Sequence, residues 1–161
     1  MGLDQYLSAS EYISRWDYSP DYDRSQNELF SQIVSQFDVD VDPSGFAGLT
    51  IDFPMGYWRK ANQIHNWFVQ ELADGEDDCR KIFVRRENLE ELLSLCLQVL
   101  EVRYTPQGEN VAKELLPPTA GFFFGSYDID EYYYSDLENT VETIDRCLKS
   151  KFDYFEYQAS W

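Results

Sequence analysis

Two periodicities alternate along the chain, one near two residues and one near 3.6. The stretch LDQYLSASEYIS (3–14) alternates weakly and carries Leu, Tyr and Ile, which predicts one strand or two short ones. A helix is expected to begin at Pro20 and Asp21, because Leu29, Phe30, Ile33, Val34 and Phe37 then form one apolar stripe at helical spacing. DVDVDPSG (38–45) ends that helix with turn residues. FAGLTIDFPMGYW (46–58) is rich in strand formers, yet Gly48, Pro54 and Gly56 interrupt it. An irregular or edge strand is the expectation there.

Residues 59–72 read as a helix, with Ala61, Ile64, Phe68 and Leu72 facing one way and His65 and Trp67 beside them. ADGEDDCR (73–80) is a loop and KIFVR (81–85) a short strand. RENLEELLSLCLQVLEV (86–102) is the clearest helix, its first turns enriched in acids from Glu87 to Glu91 as the helix dipole favours. PPTAGFFFGS (117–126) reads as a turn and a short aromatic strand. YDIDEYYYSDLENTVETIDRCLKS (127–150) is a further helix with Asp128 or Asp130 as its N-cap. FDYFEYQASW (152–161) alternates and closes the chain as a strand.

Strands and helices intermix without a regular βαβ repeat. The expected class is therefore α+β, a single domain over residues 1–161 with about three to four helices on a small mixed or antiparallel sheet. The 161 residues are 43% hydrophobic and 17% aromatic, enough apolar area for one core. The start MGLDQYLSASEY has neither a basic nor an apolar leader segment, and no apolar run approaches the roughly 20 residues of a spanning helix. Cys79, Cys96 and Cys147 form no CxxC pair, as expected of reduced thiols in a cytoplasm.

Charge narrows the partners. Thirty acids against 13 bases leave a formal net charge of −17, which opposes direct contact with nucleic acid or an anionic membrane. A basic protein or a cation is the natural complement. The charge is also uneven. Residues 1–57 carry a net −8 and residues 87–161 a net −10, while residues 58–86 carry +1. A neutral island sits in an acidic chain.

YWRKANQIHNWFV (57–69) lies in that island with two of the four tryptophans and the only histidine. At helical spacing Arg59, Asn62 and Asn66 share a face with Gln70, and His65 borders it. Such a patch could hold a phosphate or carboxylate, with Trp58 or Trp67 stacking on the ligand, so Trp58, Arg59, Asn62, His65 and Asn66 are candidate ligand-binding residues. The plainer reading is that His65 donates to a backbone carbonyl while the asparagines cap loops. A Cys79–His65–aspartate arrangement is arithmetically available beside Asp77 and Asp78, although acids next to a thiol weaken it as a nucleophile. No nucleophile elbow, Walker loop or dinucleotide fingerprint appears, and no residue is assigned a catalytic role.

Metal and cofactor chemistry have little to stand on. DVDVDPSG copies the start of a calcium loop, but Pro43 replaces the required glycine and Leu49 the bidentate glutamate. DIDE (128–131) fits helix capping as well as a metal. No metal and no cofactor are expected. In an extended segment Asp38, Asp40 and Asp42 would space carboxylates about 6.8 Å apart, close to single-strand phosphates. Such a surface suits the basic cleft of a nucleic-acid-binding enzyme, or serves only as a solvating coat. Tyr132, Tyr133 and Tyr134 cannot all face inward on one helix, so at least one is expected outside among acids, as interface material.

MGLD at the start, GYWRKANQIHNWFV (56–69), the pair Asp78–Cys79, LPPTAGFFFGSYDIDEYYY (116–134) and the final YQASW together resemble small acidic proteins of tailed bacteriophages and prophages. The resemblance covers most of the chain, and the tryptophan-rich block is its most specific part. It implies a protein made in a bacterial host cytoplasm during infection, and it carries over no catalytic residues. The leading expectation is an accessory protein that binds a basic host or defence protein, or a nucleic-acid-binding enzyme, through acidic and aromatic surface. The alternative is a protein, or an enzyme, that binds a small anion or nucleotide on the Trp58–His65 helix.

Overall fold

The computed structural model describes residues 2–18, 24–37, 45–121 and 124–161. It is an α+β protein with five helices and a four-stranded antiparallel sheet among the described residues, one helix more than the pattern suggested. The chain divides into two compact units, Met1–Ala9 with Pro54–Trp161, and Ser10–Phe53.

In the larger unit, β6 (Tyr154–Ser160) is the central strand, with β1 (Asp4–Ser14) on one side and β5 (Ile82–Arg85) on the other. Tyr157 thus stands opposite Leu7 in β1 and Ile82 in β5. Phe155, Tyr157 and Ala159 alternate inward with outward neighbours, the period-two signature of a half-buried strand. β4 (Gly48–Arg59) borders β1 at the sheet edge, as its composition suggested.

The helices are α2 (Asn62–Leu72), α3 (Arg86–Glu101), α4 (Gly108–Leu115) and α5 (Glu131–Lys149). No helix was expected at α4. The N-cap of α5 is Asp130, whose carboxylate accepts from the backbone N–H of Tyr132 and Tyr133. At the other end of α5, the Arg86 guanidinium donates to the carbonyls of Leu148, Ser150 and Phe152, where the helix dipole favours a cation. The core joins Leu3, Leu7, Phe68, Leu89, Leu137 and Phe155. Gly56 lets β4 approach α5 closely: a Cβ there would stand 2.4 Å from Thr143 Cγ2.

In the smaller unit, β2 (Trp16–Tyr18) pairs antiparallel with β3 (Arg24–Gln26). α1 (Glu28–Val34) follows, capped by Asn27 Oδ1, which accepts from the N–H groups of Leu29 and Phe30. The helix expected from Pro20–Asp21 therefore starts later, because residues 24–26 pair as a strand and Asn27 supplies the first good cap. The apolar stripe is not a core face either. Phe30 is buried, but Leu29 and Phe37 are exposed.

Candidate functional site

The tryptophan-rich block is split between two elements. Trp58 and Arg59 end β4, Lys60 turns the chain with a φ of 65°, and only then does α2 begin. The one-face arrangement of Arg59, Asn62 and Asn66 therefore does not form. Trp58 is sealed in the core, its Nε1–H donating to Thr140 Oγ1 at 2.9 Å. Arg59 is outward and paired with Asp4 at 2.8 Å. The Asp4 carboxyl also accepts from the Tyr57 hydroxyl, and that bond together with Arg59 holds it below its ordinary pKa. Asn66 lines a separate depression of about 200 Å³ with Trp67 and Gln70.

Asn62 is buried and works as a clamp. Its Nδ2 donates to the carbonyls of Phe124 and Ser126 at 3.2 and 2.9 Å, and its Oδ1 accepts from the Thr119 N–H at 3.0 Å. A segment without regular structure is thus fixed through one side chain. No strand forms at 124–126, and Phe122 and Phe123 lie outside the described residues.

His65 decides what the block can do. It is 2% exposed, and both ring nitrogens are occupied: Nδ1 meets the Tyr157 hydroxyl at 2.8 Å and Nε2 meets Asp77 Oδ2 at 2.9 Å. The direction of the bonds follows from the far end. The Ala61 carbonyl can only accept, so Gln5 gives it Nε2 at 3.1 Å and turns Oε1 toward Tyr157. Tyr157 then donates its single hydroxyl proton to Oε1 at 2.9 Å, and accepts from His65 Nδ1–H. One proton between Nε2 and Asp77 completes the chain. Burial, with the Asp77 charge nearby, raises the Tyr157 phenol well above its ordinary pKa. Phe68 stacks on Tyr157 at 3.9 Å, and Phe124 meets the histidine ring edge-on.

This network is a structural lock. The crevice beside it, lined by Cys79 and Asp77, measures about 10 Å³, room for a single water molecule at most. With Tyr157 and Asp77 on its nitrogens, His65 has no bond left for Cys79. Burial pushes the other thiols up, Cys96 to about 12 and Cys147 to about 11, so neither is poised as a nucleophile. No group of three metal-ligating side chains occurs among the described residues.

An open cleft of about 340 Å³ lies beside the clamp, lined by Arg59, Lys60, Gln63, Asp130, Tyr132 and Asp136 among others. Burial and the nearby Asp130 raise Asp136 to about 6, opposed by its hydrogen bond from Gln63 at 3.4 Å. Most cations of the middle segment are already engaged. Arg80 pairs with Glu76 and Asp78, Lys81 with Glu156, and Arg86 with carbonyls at and just beyond the end of α5.

No family model, curated protein or solved structure matches the chain.

The interface candidates fare differently from one another. Tyr132 is 83% exposed, whereas Tyr133 and Tyr134 are buried at 4% and 7%, because they sit on the face that α5 presents to the core. Asp38, Asp40 and Asp42 lie outside the described residues. Sequence reasoning missed Gln5, Tyr157 and Asp136. Gln5 had a signal, since a glutamine in register with Leu7 and Ala9 on an alternating strand faces the core. It also missed an apolar groove in the smaller unit, about 610 Å³, lined by Ile33, Val34, Phe37, Phe46, Leu49 and Ile51 among others.

Proposed function

We propose that this is a phage-encoded accessory protein that binds and modulates a basic host or defence protein through acidic, aromatic surface. The observation that carries the reading is the outward placement of large rings on a strongly anionic chain. Tyr132 is 83% exposed, Phe37 65% and Tyr12 59%, on a protein of net charge −17. Such rings add contact area at low entropic cost, and the surrounding acids steer and select a cationic partner. Among the described residues Arg59, Arg80 and Lys81 are each paired with a neighbouring carboxylate, which offsets part of the positive charge of the middle segment. No described helix is long and apolar enough to cross a membrane.

The reading is tested by capture from bacterial lysate at low salt, followed by reconstitution with the purified partner. A basic partner whose Kd weakens roughly tenfold or more on moving to high salt is expected, because screening removes the long-range attraction. Recovery of no partner, or a complex indifferent to salt, overturns it.

A further inference from the structure

We infer that the apolar groove of the smaller unit is a docking site for a cationic amphipathic segment of another protein, one that inserts apolar side chains and flanks them with Lys or Arg. The inference rests on the binding reading above and specifies where and what is bound. At about 610 Å³ the groove falls in the range of ligand clefts, and its walls are aliphatic and aromatic. Ile33 and Val34 come from α1, Phe46 precedes β4, and Leu49 and Ile51 belong to β4 itself. Phe37 and Phe46 stand 65% and 41% exposed at its edge. Among the described residues of this unit only Ile13 and Phe30 are buried, so most of its large apolar side chains stay available for contact.

Charge selects the occupant. Residues 10–53 carry nine acids against two bases, a net −7 on 44 residues. Asp52 lines the groove itself, and Glu28 starts α1. A second copy of the chain would bring its own −17 to the same surface, and like charges oppose that pairing. A segment with basic flanks gains from the field that repels a copy. Apolar anchors in a groove with complementary charges at the rim are an established mode of peptide recognition.

The test uses the full chain and two synthetic peptides of matched length, one of leucine and lysine and one of leucine and glutamate, followed by fluorescence anisotropy. The leucine–lysine peptide is expected to bind and the leucine–glutamate peptide to fail. Phe37→Ser with Phe46→Ser should weaken binding roughly tenfold or more while the unfolding temperature holds, since both rings are exposed. Leu97→Ser, at an exposed position of the other unit, should leave the peptide affinity unchanged. Equal binding of both peptides, or indifference to the phenylalanine changes, overturns the assignment. So does a dimer that the phenylalanine changes dissolve, or tighter peptide binding after Val39→Ser with Val41→Ser, which would give the groove to a second copy or to the adjoining segment. A reconstituted partner that depends on Tyr132 but not on Phe37 and Phe46 would sink the groove and leave the proposed function standing.

Discussion

Phe68 and Phe37 are both phenylalanines that the sequence pattern places on helical stripes, and they meet opposite surroundings. Phe68 in the larger unit is fully buried, stacked on Tyr157, while Phe37 in the smaller unit is 65% exposed. The contrast extends to polar groups. In the larger unit the buried polar side chains are each paired, Gln5 with Ala61 and Tyr157, Trp58 with Thr140, His65 with Tyr157 and Asp77. Among the described residues no buried side-chain nitrogen or oxygen lacks a hydrogen-bond partner. Enclosed polar atoms must be satisfied or they cost free energy, so the larger unit spends its polar residues on internal order. Among the described residues of the smaller unit, the acids Glu11, Asp17, Glu28 and Asp52 and the rings of Tyr12, Phe37 and Phe46 are exposed. The histidine that drew attention to the central block belongs to the first economy, and the groove proposed as a docking site belongs to the second.

The contrast is sharpest in stability. Phe68→Ala should cost about 3–5 kcal/mol by denaturant unfolding, because it empties a fully buried site. A cost under about 1 kcal/mol would show that the larger unit is less enclosed than described. Tyr157→Phe should follow at about 1–3 kcal/mol. It removes one oxygen but leaves both His65 Nδ1–H and Gln5 Oε1 without a partner.

Asp136→Asn changes stability in the other direction. Folding raises that carboxyl from 3.8 to about 6, so its charge costs the folded state above that pH, and the cost fades as pH falls toward the ordinary carboxylate value. Allowing for partial solvation, the substitution should stabilise by about 1 kcal/mol at neutral pH and by almost nothing near pH ~4. Paired unfolding curves at the two pH values check both size and sign. Smallest of all, Phe37→Ser should move stability by no more than about 0.5 kcal/mol. A loss several times larger would mean that this ring is packed and that the two units differ less than the structure shows.

Several elements were legible because local rules and tertiary packing agree. β1, β5, β6, α3 and α5 sit where alternation and helical spacing placed them, and of the two caps offered for α5, Asp128 and Asp130, the structure uses Asp130. The edge position of β4 followed from Pro54 and its glycines. α4 escaped notice because GENVAKEL is a short, mostly polar stretch whose helicity depends on packing, with only Gly108 and Ala112 buried. The candidate site was less legible. Arg59 reads as a helical neighbour of Asn62 only if the helix begins before Lys60, and the positive φ at Lys60 is where the chain turns from strand to helix.

By itself the sequence determined the α+β class, most of the elements and the acidic character, because periodicity and net charge are local or additive properties. Only the tertiary structure decided that His65 is sealed between Asp77 and Tyr157, that Tyr132 faces water while Tyr133 and Tyr134 do not, and that the stripe of α1 opens onto a groove. Each of those outcomes depends on residues far apart in the chain arriving at one place. Burial is set by that arrival, and no window of neighbouring residues contains it.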